Sequence, residues 1–560
     1  MTLITLRNSN AADRPQVLDG DQDFDPQTNM VWGKVTDKGY HTLLPPNSRA
    51  HPVRSALKYA LVLLETGERS RVDRAEAVLK AALALQITDP TRAEFGIWPY
   101  FLEEPIEKMA PPDWNWADFC GSQLAEILAK HETALSPELR NQTRAALSNA
   151  AWSIFRRNVQ PNYTNIAIMG AGVCCAAGEL LNEPALLNYG RQRLTNCVIA
   201  YDRDGGFNEY NSPSYTTIVL TECERIGHLV KDPASREAAE RLRYGAWKTI
   251  AESYHPATGQ WAGPHSRVYS DRLGSGWAKF FADQSGAKIP FHPDAPGGGP
   301  SGEVDYGPCP DDLEARFVAL PTETVELRRR FIRRDDESKS TYGTTWLSPV
   351  ACLGSVNYDS FWTQRRPVIA YWKTADDPAV VLKLRFLHDG KDFASAGVRT
   401  TQSGGQAVSL VSLLLDRGDH HDTIDKPKDG IFLARSFLAR YELTGIGARV
   451  ERVSDRTFDL IAGNTTARVT VGPGKFNGSN VVAAIGHDDK SAWVDAVLYD
   501  GPARGFRFAD LTDAWATLGL SIQTNAAPIT PAVEARDDAN DVTATFGKLS
   551  VTGPRHATSY

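Results

Sequence analysis

The stretch HPDAPGGGPSG, residues 292–302, decides how the chain is divided, because the hydrophobic pattern differs on its two sides. Proline and glycine interrupt regular structure, so we interpret residues 291–302 as a linker. Ahead of the linker, apolar residues recur at helical spacing from about residue 50 to 285. Behind it, they alternate or form β-branched runs. The sequence therefore predicts a multidomain α and β protein.

Paired helices account for the pattern ahead of the linker. The stretch Arg54–Leu64 repeats apolar residues at helical spacing. Asp73 with Glu76 has the form of a capping box, and Ser136 followed by a proline is a typical helix start. We expect an extended lead-in over residues 1–45, followed by helices.

The connections between the predicted helices alternate in character. Some are short and plain, whereas others are rich in Trp, Tyr, Asn, His and Arg; the rich connections are residues 87–116, 158–164, 201–214 and 254–277. If helical hairpins close into a ring, alternate connections lie on one face, where function concentrates on loops held by a rigid scaffold. We therefore predict an (α/α) toroid over residues 46–290 that carries the catalytic site.

Two-residue alternation begins after the linker. Examples are VVLKLRFL at 380–387, and VTATFGKLSV at 542–551, with glycine-rich turns at short spacing between such runs. This pattern predicts an antiparallel β-sandwich over residues 303–560. The whole chain is thus expected to be an N-terminal (α/α) toroid followed by a C-terminal β-sandwich.

Composition excludes several classes of function. The net charge is −7 and the pI about 6.0, whereas a nucleic-acid-binding domain is usually strongly basic. No apolar run approaches the ~20 residues that a membrane helix needs. The N-terminal residues lack a signal-peptide pattern, and seven cysteines without a CxxC pair indicate free buried thiols. We expect a cytoplasmic protein; the alternative is a secreted or periplasmic protein whose signal peptide was removed. The oligomeric state stays open.

The segment DGGFNEYNSPSY, residues 204–215, concentrates polar and aromatic side chains at a helix-to-helix junction. Tyr210, Asn211 and Tyr215 lead into the next predicted helix, whose start favours anions. Glu209 is a candidate general acid. These residue types suit the binding of an acidic sugar.

Three further loops carry candidate residues of the same kinds. The segment 261–277 contains a histidine and two arginines between glycines, which are seldom core residues. The segment 160–172 places asparagines at a helix start, and 111–119 places tryptophans among acids, where they can stack on sugar rings. The candidates in these loops are His265, Arg267, Tyr269, Arg272, Asn162, Asn165, Trp114 and Trp116.

Together these side chains suit one reaction, the cleavage of a uronic-acid glycan by β-elimination. The sugar carboxylate must be neutralised so that its C5 proton becomes acidic, and Asn165, His265 and Arg267 offer hydrogen bonds and charge for this. A tyrosinate can remove the proton, since neighbouring cations lower a phenol's pKa, and the same tyrosine can protonate O4. The reaction demands no metal and no cofactor, and its partner is an acidic polysaccharide or oligosaccharide.

The chain resembles the polysaccharide lyases of the chondroitin, hyaluronan and xanthan lyase, alginate lyase and heparinase II/III-like type. DGGF followed by a polar-aromatic run, TN at 164–165 and HSRVYSDR at 265–272 are similar to motifs of that family. The resemblance implies Tyr215 as base and acid, Arg267 as its assistant and Asn165 as carboxylate neutraliser. Where the family carries a neutralising histidine this chain has Tyr210. His265 is then its replacement, and the choice between Tyr210 and Tyr215 as base stays open.

Two other functions fit parts of the pattern. A glycoside hydrolase would use paired carboxylates, such as Glu209 with Asp118 or with Asp204. A non-catalytic glycan-binding protein would use the same loops without cleaving its ligand. In the β region, DRGDHHDT at 416–423 reads as a solvated turn rather than a metal site. The segment 357–372 reads as a core strand, or as one that adds a Tyr or Arg to the cleft.

Overall fold

A computed structural model describes residues 20–35, 41–289, 292–300, 302, 304–415, 427, 429–527, 529 and 531–559. The chain forms two compact units, each discontinuous in sequence. The first comprises Met1–Ala200, Ile218–Tyr244 and Ser301–Gly307, and the second comprises Tyr201–Thr217, Gly245–Pro300 and Pro308–Tyr560.

Helices fill the N-terminal half of the described chain, as the apolar periodicity predicts. Their bounds are α1 Val53–Thr66, α2 Arg69–Leu83, α3 Trp116–His131, α4 Pro137–Arg157, α5 Thr164–Leu180, α6 Pro184–Asp204, α7 Thr216–Leu229, α8 Pro233–Ser253, α9 Ser275–Ser285 and α10 Asp311–Val318. Short 3-10 turns occur at Ile106–Lys108, Glu132–Ala134, Glu337–Lys339 and Phe508–Asp510.

Helical hairpins build two layers within the first unit. Helix α1 pairs with α2, and α3 with α4, while α3 also packs against α1 and α5 and α4 against α2 and α5. Helix α5 is buried over most of its length. Its small residues permit close approach: a Cβ at Gly170 would lie 2.4 Å from Asp118 Oδ1. Side chains of adjacent hairpins thus share one core.

The two predicted helix starts have different outcomes. Ser136 is the N-cap of α4 and Pro137 its first residue, as predicted. The predicted capping box at Asp73 is wrong, because α2 begins four residues earlier, at Arg69. Asp73 forms an i,i+4 ion pair with Arg69 at 3.0 Å, and Glu76 accepts a hydrogen bond from the Ser136 amide.

Strands dominate the second unit. In the first unit lie β1 Phe24–Asp25, β2 Met30–Val31, β3 Gly33–Lys34 and β4 Arg49–Ala50. In the second unit lie β5 Tyr254–His255, β6 Gln260–Trp261, β7 Val325–Ile332, β8 Thr341–Leu347, β9 Ala351–Val356, β10 Tyr358–Ser360, β11 Val368–Trp372, β12 Val380–His388, β13 Lys391–Asp392, β14 Ala396–Ser403, β15 Gln406–Leu413, β16 Ile431–Thr444, β17 Arg449–Arg452, β18 Thr457–Ala462, β19 Thr465–Phe476, β20 Ser479–Asn480, β21 Val482–His487, β22 Ser491–Arg507, β23 Ala514–Thr524, β24 Val533–Asp537, β25 Asp541–Phe546 and β26 Leu549–Pro554.

These strands form two large antiparallel sheets. One has the order β10-β14-β15-β23-β19-β18-β17, and the other the order β21-β22-β16-β12-β11-β9-β8-β7. A smaller sheet, β24-β25-β26, packs on the first through β14, β15 and β19. Large side chains from both big sheets, among them Trp372, Phe386, Phe437 and Phe458, are fully buried in one core. The predicted fold class, a helical region followed by an antiparallel β domain, is confirmed.

Two glycines allow the 262–268 segment to pack directly against the large sheet that contains β9 and β11. A Cβ at Gly263 would lie 2.2 Å from Ile369 Cγ2, and one at Gly354 would lie 1.9 Å from Gly263 O. Thr345 Oγ1 donates a hydrogen bond to Gly263 O at 2.7 Å. Because no larger residue fits at either glycine, the backbone ahead of Arg267 is fixed against β9 and β11.

Candidate active site

Helix α6 ends where the polar and aromatic segment 204–215 begins. Asp204 is its last residue, and Gly205 follows with φ 80°, a left-handed conformation that suits glycine. The Asp204 carboxylate is buried and accepts hydrogen bonds from Arg203, at 2.8 and 2.7 Å, and from Asn208 at 2.8 Å. These partners hold it as a structural anion, which removes it from the paired-carboxylate interpretation with Glu209.

Asn211 joins this segment to the 261–265 segment. Its Nδ2 donates to the carbonyls of Ala262 and Pro264, both at 2.8 Å, and its Oδ1 accepts from Trp261 Nε1 at 2.6 Å. The residue is buried and has a left-handed φ of 43°. Its side-chain amide is thus engaged on both its nitrogen and its oxygen by the 261–264 segment.

His265 supports the same junction. Its Nδ1 donates a hydrogen bond to the Asn211 carbonyl at 2.8 Å, and the side chain is only 1% exposed. Burial lowers the pKa of His265 to about 4, so the imidazole is neutral near pH 7. In the structure His265 is therefore a neutral, buried residue whose hydrogen bond fixes the backbone at residue 211.

Tyr210 is buried below the site. Its ring stacks on Phe331 with centroids 4.4 Å apart, and its hydroxyl donates to Asp359. Asp359 also pairs with Arg365 at 2.6 Å. Of the two tyrosines considered as bases, Tyr210 is thus engaged in the interior of the second unit.

Arg267 and Tyr215 lie in direct contact. The Nη2 of Arg267 donates a hydrogen bond to the Tyr215 hydroxyl at 2.9 Å. Its Nη1 donates to Glu209 Oε1 at 3.2 Å, and its Nε donates to Gln364 Oε1 at 2.8 Å. The guanidinium carbon lies 4.4 Å from the Tyr215 ring centroid and 4.8 Å from that of Trp362. Hydrogen bonds and two aromatic faces thus fix the cation in one orientation.

The Tyr215 phenol contacts a second phenol. The hydroxyls of Tyr215 and Tyr269 are 2.7 Å apart, and Tyr269 is 68% exposed whereas Tyr215 is half-buried. Burial raises the pKa of Tyr215 above its ordinary value of 10.0; Arg267 opposes this, while Tyr269 and Glu209 add to it. Arg267 is thus the group that favours a phenolate at this position.

A charge network holds the far end of the same loop. Asp271 pairs with Arg366 and, at 2.5 Å, with Lys383, and its carbonyl accepts from the Tyr371 hydroxyl at 2.7 Å. Burial would raise the pKa of Asp271, but Arg366 and Lys383 outweigh it and lower that pKa. Arg272, predicted to bind substrate, donates from Nε to the Ala379 carbonyl at 3.1 Å. The loop is therefore anchored on both sides of Arg267.

Two neighbours of Arg267 come from the 357–372 stretch. Val368–Trp372 is a core strand, as one interpretation predicted, whereas the residues just before it lie against the site. The backbones of His265 and Arg366 exchange hydrogen bonds at 3.1 and 2.9 Å, which places Gln364 and Trp362 beside Arg267. Both lie in the stretch that the sequence indicated for its Tyr and Arg residues, and no local pattern distinguishes Gln364 within it.

The remaining predicted residues belong to the first unit. Asn165 is buried in the first turn of α5, and Asn162 is exposed just ahead of that helix. Trp114 donates from Nε1 to the Ala93 carbonyl at 3.3 Å, and Trp116 packs on Tyr100 with centroids 3.9 Å apart. Here the tryptophans make ordinary intramolecular contacts, with part of each ring accessible.

Asp118, a carboxylate of the hydrolase alternative, is buried on α3 of the first unit. Burial raises the pKa of Asp118 to about 7, against the opposing charges of Arg157 and Arg193. Arg157 Nη1 lies 3.9 Å from its Oδ2. The carboxyl is thus enclosed within the helical layers.

Metal sites and membrane spans are absent from the residues that the structure describes. Within them, no group of three or more His, Cys, Asp and Glu side chains is placed to bind a metal ion. The sequence motif at 416–423 lies outside the described residues. No described helix has the length and hydropathy to cross a membrane. All seven cysteines lie in described parts of the chain, where they are buried and outside any disulfide.

Comparisons with known proteins were made for the sequence and for the structure. Residues 27–276 match a domain of unknown function, DUF8769. No curated protein matches the sequence.

Several solved structures are similar to this chain. They include heparinase III, with 10% identity and a TM-score of 0.42, covering 90% of this chain and 82% of that one. The Streptomyces coelicolor A3 chondroitin AC lyase in complex with chondroitin sulphate has 10% identity and a TM-score of 0.48, covering 99% and 86%. A mutant of the heparan sulfate lyase HepC from Pedobacter heparinus has 9% identity and a TM-score of 0.34, covering 90% and 82%. Similarity at this level concerns architecture and assigns no role to any residue.

Proposed function

We propose that the protein is a polysaccharide lyase that cleaves a uronic-acid-containing glycan by β-elimination, with Tyr215 as the base. The contact between Arg267 and Tyr215 is the observation that carries this proposal. A guanidinium that both donates to a phenol oxygen and lies over its ring stabilises the phenolate, which is the form able to accept a proton.

The elimination follows from the properties of a uronic acid. When its carboxylate is neutralised, the C5 proton becomes acidic enough for a tyrosinate to remove it. The electrons of the C5–H bond form the C4=C5 double bond, and the C4–O4 bond breaks as O4 gains a proton. Arg267 counters the charge of the base, and we assign the neutralisation of the carboxylate to Arg267.

The buried residues around the site have positioning roles in this proposal. Asn211 and His265 fix the junction between the 204–215 segment and the 261–265 segment. Tyr210 holds the 204–215 segment through its hydrogen bond to Asp359. Glu209 and Gln364 orient the guanidinium. We assign binding of the glycan to Tyr269, the accessible phenol beside Tyr215.

A substrate screen tests the function directly. Purified protein is incubated with glucuronan, alginate, pectin, hyaluronan, chondroitin and heparan, and products are followed by near-ultraviolet absorbance and by new reducing ends. A lyase produces both signals, because each cleavage leaves a conjugated C4=C5 double bond. New reducing ends without absorbance would instead indicate a hydrolase, and ligand binding without either signal would indicate a binding protein.

A further inference from the structure

Tyr269 carries the second phenol of the site, beside the proposed base Tyr215. Tyr269 lies two residues after Arg267 on the same anchored loop, and its hydroxyl is 2.7 Å from that of Tyr215. The two rings are inclined at 49° with centroids 6.3 Å apart, so the contact is made by the hydroxyls rather than by ring stacking. A short hydrogen bond between two phenols is a path for a proton.

We propose that Tyr215 and Tyr269 act as a pair that holds one proton, with Tyr215 as base toward C5 and Tyr269 as acid toward O4. This inference rests on the proposed lyase function. The residue types alone allow Tyr215 to carry out both proton transfers; the proposed pair divides them between two oxygens.

Hydrogen-bonding capacity supports the division. A phenol oxygen has one proton to donate and two lone pairs. In the reactive state the Tyr215 oxygen is anionic and accepts from Arg267 Nη2, while the Tyr269 hydroxyl turns its single proton toward O4, which leaves the Tyr215 oxygen open for the C5 proton. Tyr269 is 68% exposed, so its hydroxyl can reach a leaving oxygen outside the pocket of Tyr215.

The cycle balances without any other reactant. The C5 proton moves to the Tyr215 oxygen, and the electron pair it leaves forms the C4=C5 bond as the C4–O4 bond breaks. Tyr269 gives its proton to O4, which becomes a hydroxyl of the departing glycan. The Tyr215 proton then crosses the hydrogen bond to Tyr269, which restores the Tyr215 phenolate and the starting charge.

The charges that face the pair are consistent with one shared proton. Arg267 stands beside both the Tyr215 oxygen and Glu209, whose carboxylate offsets much of the guanidinium charge. A single phenolate is stabilised by Arg267 and by the neighbouring hydroxyl, whereas a second one would repel it at 2.7 Å. The pair therefore holds a single proton, which Tyr269 carries while Tyr215 is ionised.

Tyr269→Phe tests the pair, since it removes only the hydroxyl. On the natural glycan, loss of a general acid lowers kcat by roughly 100-fold to 10,000-fold. On a uronide with a 4-nitrophenyl ether at C4, whose leaving group needs no proton, the loss should be less than about 10-fold. Tyr342→Phe, whose hydroxyl donates to Glu337 elsewhere in the second unit, is the matched control.

The outcomes separate this inference from the function on which it rests. An unchanged rate on both substrates in Tyr269→Phe would overturn the relay while leaving a lyase with Tyr215 alone. Equal losses on both substrates would show that Tyr269 only positions, and would also overturn it. If the wild-type protein forms no unsaturated product from either substrate, the lyase function fails and the relay fails with it.

Discussion

Arg267 contacts Tyr215 in two ways at once: its Nη2 donates to the phenol oxygen at 2.9 Å, and its guanidinium carbon lies 4.4 Å from the ring centroid. The first contact favours the phenolate, and the second holds the ring in place. Both depend on a planar cation whose other donors are engaged by Glu209 and Gln364. A residue of equal charge but different shape would not reproduce them.

Replacement of that cation is the first prediction. Arg267→Lys keeps the charge but loses the fork that joins Glu209, Gln364 and Tyr215, so kcat/KM should fall by roughly 100-fold, the size of effect that loss of one stabilising donor produces. Steady-state kinetics on the substrate found in the screen measure it. Arg468→Lys is the matched control, because Arg468 pairs with Asp459 between β19 and β18 at 2.7 Å. Equal rates for Arg267→Lys and wild type would contradict the role of Arg267.

The second prediction concerns Glu209 and pH. Its negative charge helps to raise the pKa of Tyr215, because it disfavours the phenolate. Glu209→Gln removes that charge but keeps an oxygen acceptor for Arg267. The pKa of Tyr215 should fall, and the ascending limb of the pH–rate profile should move to lower pH. A limb that stays in place or moves to higher pH would show that Glu209 does not act on the phenol.

Much of the fold follows from local patterns, and much of the site does not. The helical periodicity of Arg54–Leu64 and the alternation in Val380–His388 depend on residues close together in the chain, so both can be read from the sequence. Arg267 and Gln364 meet across 97 residues, and Tyr210 and Asp359 across 149. Such contacts depend on the order of the strands and on which backbone segments pair, and neither can be read from a single sequence.

The individual site residues show the same division. The sequence identified Tyr215 and Arg267, whose types suit the chemistry and which lie in contact. It also identified Asn211 and His265, whose polar atoms instead bond the backbone of the neighbouring loop. Side-chain type alone does not distinguish a residue that faces a ligand from one that satisfies a buried carbonyl, because both need the same donors.

The third prediction concerns stability and the ion pairs of Asp271, which hold the loop that carries Arg267. Asp271→Asn removes the anion that Arg366 and Lys383 share, and should lower the free energy of unfolding by about 2 kcal/mol near neutral pH. Because the folded-state pKa of Asp271 is lowered, its contribution is present above the unfolded-state value of about 3.9 and is lost as the pH falls below it. The difference between variant and wild type should therefore shrink below about pH 4.

Calorimetry at several pH values measures that difference. Asp510→Asn is the control, because Asp510 is largely exposed and lies 3.7 Å from Arg507, a surface pair that should contribute less than about 1 kcal/mol. A gap between Asp271→Asn and wild type that persists unchanged into acid would contradict the lowered pKa. No gap at neutral pH would show that the network does not anchor the loop.

The buried histidine gives a fourth prediction. The pKa of His265 is about 4 in the fold, against about 6.5 when unfolded. Between these values the unfolded chain binds the additional proton, so stability falls as the pH is lowered from 6.5 to 4 and this group adds nothing further below that. His265→Gln should flatten the dependence of the urea midpoint on pH in that window. His487→Gln, at an exposed position on β21, should leave it unchanged; equal slopes for His265→Gln and wild type would refute the assignment.

The central claim is that Tyr215 removes a proton from carbon rather than assisting water. Turnover in heavy-oxygen water with product analysis by mass spectrometry tests it, with wild type and Tyr215→Phe compared on the same glycan. We expect unsaturated product from the wild-type protein and no product from the variant. The wild-type product should carry no solvent oxygen when the reaction is stopped before the new reducing end exchanges with water. Solvent oxygen in the wild-type product, or elimination that persists in Tyr215→Phe, would contradict it.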